Sequence, residues 1–143
     1  MEKLVVIILL IITAFTTKAH NTPVDMGIIM LTDFYKAYIT LSSDQDIDLH
    51  VMEVKLTQLR RKYLTQACQK QFTVLAEETD ADPIIKAQDS YKELLKTLVI
   101  KKDSKNPNRY LVTYIDIAGS REKTTIYVTL TAQNNVLRIA HLD

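Results

Sequence analysis

"KTTIYVTLTA", residues 123–132, alternates without a break. Ile126, Val128 and Leu130 fall on one side, and Thr125, Tyr127, Thr129 and Thr131 fall on the other. Period two with one apolar side is the pattern of a strand that covers a core with one face and meets water with the other. Its neighbours continue the pattern. "RYLVTYIDIA" (109–118) is rich in β-branched and aromatic residues, and "GS" (119–120) supplies a turn between the two runs. "QNN" (133–135) makes the next turn and leads into "VLRIAHLD" (136–143). "LLKTLVIKK" (94–102) is the predicted first strand. Connections this short join adjacent antiparallel strands, so the second half of the chain is expected to be a four-stranded meander.

Before Leu94 the period is helical. In "PVDMGIIMLTDFYKAYITL" (23–41), Ile28, Leu31, Tyr35 and Tyr38 share one face, widened by Phe34 and Ile39. "SSDQD" (42–46) is a turn of capping residues. A second helical region covers about 47–78. Thr65 suits an N-cap inside it, although one bent helix fits the pattern equally well. Helices first and a meander afterwards make an α+β domain, with the N-terminal helices packed on one face of a curved four-stranded antiparallel sheet.

The chain has 143 residues, enough for one core. Its first segment is set apart from that core. Lys3 precedes an apolar run from Leu4 to Phe15, and the small residues Thr17 and Ala19 stand at the positions a signal peptidase reads. Residues 1–19 are therefore expected to be a secretory signal peptide and 20–143 a single α+β domain, exported to the periplasm or the extracellular space. A membrane association is expected only through this segment, were it left uncleaved. Loss of Lys3, Lys18 and Glu2 leaves 16 basic and 16 acidic residues, which gives no electrostatic case for nucleic acid. "RRK" (60–62) reads as the wet side of a helix and "KKDSK" (101–105) as a hairpin loop. Two glycines in the whole chain exclude a glycine-rich phosphate loop.

Cys68 is the sole cysteine and shares a helical stripe with Leu64, Phe72 and Leu75, so it is expected to be a buried thiol. The histidines are His20, His50 and His141. Cleavage after Ala19 would make His20 an amino-terminal chelator for Cu(II), but the chain contains no metal motif to complete such a site. No cofactor and no metal are expected.

"DADPIIKAQD" (80–89) lies where the helices end and the sheet begins. Asp82-Pro83 fits an N-cap followed by proline at the first helical position, which predicts a short helix over "PIIKAQDSYKEL". Gln88 and Asp89 then satisfy backbone groups near its end, and the segment is a joint between the two halves of the fold. In the other reading, Asp82, Gln88 and Asp89 rim a cavity together with Tyr35, Tyr38 and Tyr63.

With these parts placed, the chain resembles a family of small exported domains of unknown function from Gram-negative bacteria. That family shares a cone-shaped fold with nuclear transport factor two and the cystatin-like proteins. The resemblance rests on "FYKAYIT" (34–40), "RKYLTQACQKQF" (61–72), "DADPIIKAQD" (80–89) and the closing strand pair Thr124–Leu142. The chain departs from the family at Leu137, where the last strand usually carries a tryptophan. The resemblance implies a fold and no reaction, because this architecture hosts binders, enzymes and scaffolds alike.

Two functions follow as expectations. The first is a non-catalytic exported interaction domain whose partner is another envelope or secreted protein. The second is a pocket protein that binds or transforms a small apolar molecule. There Asp89 or Asp116 would act as a base and Tyr35, Tyr38 or Tyr63 as a donor, in the manner of ketosteroid isomerase.

Overall fold

The computed structural model describes residues 24–117 and 119–143; the expected signal segment and His20 lie outside them. Three helices come first: α1 (Met26–Ser42), α2 (Leu49–Tyr63) and α3 (Gln66–Thr79). A 3₁₀ turn (Lys92–Lys96) leads into strands β1 (Val99–Lys102), β2 (Arg109–Ile115), β3 (Lys123–Gln133) and β4 (Val136–Leu142). The strands form one antiparallel sheet in the order β1-β2-β3-β4. The architecture is the α+β meander that the alternation in β3 implied.

Each helix starts where a short polar side chain caps it. Asp25 accepts from the N–H groups of Gly27 (2.9 Å) and Ile28 (3.2 Å). Asp48 does the same for His50 and Val51. Thr65 accepts from Cys68 N–H at 3.1 Å, so the second helical region breaks there and does not bend through. The break has a second consequence. Leu64, in extended conformation, bridges Ile139 of β4, and Thr65 N–H donates to the Ile139 carbonyl at 2.9 Å. Further along α3, the Gln71 side-chain amide donates to the Leu142 carbonyl (2.8 Å) and accepts from Leu142 N–H (3.1 Å). The outer edge of β4 is thus paired with helix-borne groups.

The inner face of the sheet is closed. Tyr110, Val112 and Tyr114 of β2, Ile126, Val128 and Leu130 of β3, and Ile139 and Leu142 of β4 are all buried in one core with the helices. Ile139 and Leu142 are three apart and would normally face opposite ways. The ladder pairs Thr129 with His141 and Leu130 with Ile139, which leaves Ala140 as the extra residue of a bulge and returns Leu142 to the core. On α1 the expected stripe is confirmed: Leu31, Phe34, Tyr35, Tyr38 and Ile39 are fully buried. Asn134 and Asn135, both with positive φ, form the two-residue turn between β3 and β4.

Two strand boundaries differ from the expectation. Residues 94–98 are not strand, because Leu94 turns inward as part of the 3₁₀ turn and Thr97 Oγ1 donates to the Ile115 carbonyl. Strand β2 stops at Ile115, because the Asp116 carboxylate closes the next turn on the N–H groups of Gly119 and Ser120.

Gly27 is required by a close approach. A Cβ there would lie 2.2 Å from Tyr110 Oη and 2.4 Å from its Cζ. The ring is held in place, because Tyr110 Oη donates to Asp25 at 2.8 Å and Asp25 also pairs with Lys102 at 3.0 Å. Overpacking of this kind costs about 1–3 kcal/mol. It works against the ~1 kcal/mol by which alanine favours a helix over glycine. Gly27→Ala is therefore expected to lower the urea midpoint, and a raised midpoint would mean that the ring gives way freely.

Candidate functional site

The 80–89 segment is a turn and not a helix. Asp80, in the left-handed region at φ 51°, ends α3. Asp82 and Ala87 then face each other in an antiparallel bridge, with Asp82 N–H on the Ala87 carbonyl at 3.0 Å. Between them Lys86 takes φ 47°, which reverses the chain before a helix can propagate. Asp82 keeps its capping chemistry, and its Oδ1 accepts from Ile84 N–H at 2.8 Å. Pro83, Ile84 and Ile85 fill the turn and are buried. The turn is tied to β2 by Tyr114, whose hydroxyl donates to the Ile85 carbonyl, and to α1 by the Ser42–Ser90 hydroxyl pair at 2.7 Å.

A polar row runs inward from Asp82. The Tyr38 hydroxyl donates to Asp82 Oδ2 at 2.5 Å, and Arg60 Nη1 donates to the Tyr38 oxygen at 3.3 Å. Arg60 Nη2 reaches Thr57 Oγ1 at 2.8 Å and pairs with Glu53. The guanidinium also lies over the Phe72 ring, 4.5 Å from its centre. Burial pushes the Asp82 carboxyl above its ordinary value, against the opposing pull of Tyr38, the Ile84 N–H and Arg60. Burial, with Asp82 beside it, holds Tyr38 as the neutral phenol. Arg60 corrects the reading of "RRK": Arg61 and Lys62 are wet, but Arg60 is 9% exposed. Glu53, Thr57 and Arg60, at i, i+4 and i+7, already marked one helix face in the sequence.

Tyr35, Tyr38 and Asp82 come together as the cavity reading required, but in packed interior. Tyr35 and Tyr38 are 0% exposed. Tyr63 stands behind Phe34, ring centres 5.1 Å apart, half-buried beneath Lys62. Gln88 and Asp89 are exposed, and Asp89 makes one long contact with the Tyr91 hydroxyl at 3.4 Å. Neither carries the backbone-satisfying role expected of it; that role belongs to Asp82 and Tyr114. Asp116 is occupied in its hairpin turn. Cys68 is fully buried as expected, and burial pushes its thiol up to about 12.

Among the described residues the Tyr35 hydroxyl has no hydrogen-bond partner. A stranded buried polar group costs about 1–3 kcal/mol. Tyr35→Phe keeps the ring and removes that cost, so the variant is expected to melt higher than the parent. A lower melting temperature would mean that the hydroxyl is satisfied in solution.

Two surfaces flank this interior. One is a groove of about 480 Å³ between the C-terminal half of α3, the Asp82-Pro83 turn and the end of β4, with Leu75, Pro83 and Leu142 as its apolar lining. The other is the outer face of the sheet. Its rows are Val99–Thr113–Thr125, Lys101–Leu111–Tyr127 and Arg109–Thr129–His141. Val99, Ile115 and Tyr127 are exposed there. Among the described residues no group of three His, Cys, Asp or Glu side chains is placed to hold a metal, and no helix is long and apolar enough to cross a membrane.

No protein-family model matches the chain, and no curated protein does. A crystal structure of a protein of unknown function from Bacteroides thetaiotaomicron is similar to it, with 30% identity, 81% of this chain and 87% of that chain covered, and a TM-score of 0.72. The chain belongs to that protein's family. The shared part spans most of both chains and so takes in helices and sheet together.

Proposed function

We propose that the chain is a non-catalytic interaction domain, exported to the cell envelope, that docks another envelope or secreted protein through the outer face of its sheet. One contrast carries the reading. The inner face, where this architecture would hold a ligand, is filled by Leu31, Phe34, Tyr35, Tyr38 and Ile39, whereas the outer face leaves Val99, Ile115 and Tyr127 open to water. An aromatic ring among aliphatic side chains on an open sheet is the composition of a protein contact. A long helix lying across a curved four-stranded meander supports placing the fold with the nuclear-transport-factor-two-like and cystatin-like cones. The apolar run at 4–15 supports export.

A photo-crosslinking residue in place of Tyr127, in the full chain expressed in its host, is expected to give a discrete adduct. The same residue at Lys55, on the exposed side of α2, is expected to give none. Adducts from Lys55 alone would move the interface to the helices, and none from either position would sink the reading. Intact mass of the recovered protein reports cleavage after Ala19.

A further inference from the structure

The balanced charge of residues 20–143 conceals a division. Residues 24–98, the helices and the turn segment, carry 9 basic and 12 acidic side chains, a net −3. Residues 99–143, the sheet, carry 7 basic and 4 acidic side chains, a net +3. The helical part and the sheet therefore carry opposite net charge, which the whole-chain total conceals.

Two of these four acids are already committed on the outer face. Asp103 holds Arg109 at 2.6 Å, and Asp143 holds His141 at 2.7 Å. Lys101 and Lys123 take part in none of the ion pairs among the described residues. They stand at the rim of a shallow groove of about 450 Å³ that has Val99, Leu111 and Ile115 as its apolar residues. The hydroxyls of Thr97 and Thr113 in this groove are spent on the Ile115 and Val99 carbonyls, so these two residues offer little but methyl groups to a ligand. Lys101 lies across from Leu111, and Lys123 across from Ile115. Four residues along β2 separate those partners by roughly 13 Å.

We propose that this groove takes an acidic segment of the partner protein, with carboxylates on Lys101 and Lys123 and apolar side chains between them. The proposal rests on the outer face being the interface and adds the chemistry of what it accepts. Unpaired rim cations around an apolar floor select by charge and hold by burial. An anionic bilayer suits the face less well, since juxtamembrane sites use about 4–8 clustered cations. Here two free lysines stand apart on a sheet.

The test uses the purified protein and two synthetic peptides of equal length, one alternating Glu with Val and one alternating Lys with Val. Amide shifts at Val99, Lys101, Leu111 and Lys123 are expected with the acidic peptide only, and they should weaken as salt rises. Lys101→Glu with Lys123→Glu is expected to cut that affinity about tenfold or more and to admit the basic peptide. Equal binding of both peptides, binding of neither, or shifts confined to the α3 groove overturns the proposal. So does tighter binding to phosphatidylglycerol vesicles, which would make the face a lipid surface. Self-association in sedimentation that the double variant abolishes would make the acidic partner a second copy, through its helical side. The two readings fail separately. A Tyr127 adduct whose yield survives the double variant keeps the interface and removes the acidic partner, whereas loss of the Tyr127 adduct in the parent chain removes both.

Discussion

Asp82→Ala is expected to lower the unfolding free energy by about 2–4 kcal/mol, because it strands the Tyr38 hydroxyl and the Ile84 N–H in places water does not reach. Asp82→Asn keeps one oxygen for the Ile84 N–H and turns an amide N–H toward the Tyr38 oxygen, so it is expected to lose less than Ala, about 1–2 kcal/mol. The pair separates removal of the whole cap from loss of one acceptor oxygen. Burial raises the Asp82 carboxyl in the folded state. Its contribution to stability is therefore complete below the ordinary carboxylate range and is lost as pH rises through the raised value. Asn has no such dependence. The melting temperature of Asp82→Asn relative to the parent should improve from about pH 3 to about pH 7. A constant difference would mean that the carboxyl is not perturbed, and an Asn variant as damaged as Ala would mean that the turn needs the second carboxylate oxygen under the Tyr38 hydroxyl.

Phe34→Ala should cost about 3–5 kcal/mol, the range for emptying a buried aromatic site. Phe34 is fully buried on α1, and its ring meets those of Tyr35 (5.4 Å), Tyr38 (5.5 Å) and Tyr63 (5.1 Å). Tyr38 is anchored by its bonds to Asp82 and Arg60 and all three rings by their backbone, so the space cannot close by simple collapse. Against a total of about 5–15 kcal/mol for an ordinary domain, the variant is expected to keep its far-ultraviolet helix signal while its denaturant midpoint falls steeply. Phe34→Leu should recover much of the loss. A midpoint for Phe34→Ala close to the parent's would contradict the burial of this ring.

What the sequence made legible follows from periodicity. The alternation in β3, the i, i+3, i+7 stripe of α1 and the capping hydroxyl of Thr65 each report a local preference that the tertiary structure keeps. The mistaken parts share another cause. Asp82-Pro83 carries a good helix-start signal, but Lys86 adopts a left-handed backbone that lets Asp82 bridge Ala87, and no rule for Lys predicts that. Leu94 belongs to a β-like string but is drawn inward as part of a 3₁₀ turn. Arg60 lies in a basic triplet that reads as solvent-facing, yet Tyr38 and Glu53, on two different helices, receive it. The Tyr35–Tyr38–Asp82 grouping was anticipated as residues but not as packing, because sequence spacing does not say whether a gathered set of side chains surrounds space or fills it.

The Gln71 amide along β4 also sets a limit on aggregation. A sheet that polymerises strand to strand needs two open edges on every molecule, one to be extended and one to extend the next. In this sheet the β4 edge is occupied by Gln71, Leu64 and Thr65. Addition can therefore occur only at β1, a strand of four residues that ends in Lys101 and Lys102. Growth from a single edge stops at a pair. Gln71→Ala, by freeing the backbone of Leu142, would reopen the end of the second edge beyond Ile139, and such a protein is the one to watch for a lag phase and fibrils on storage.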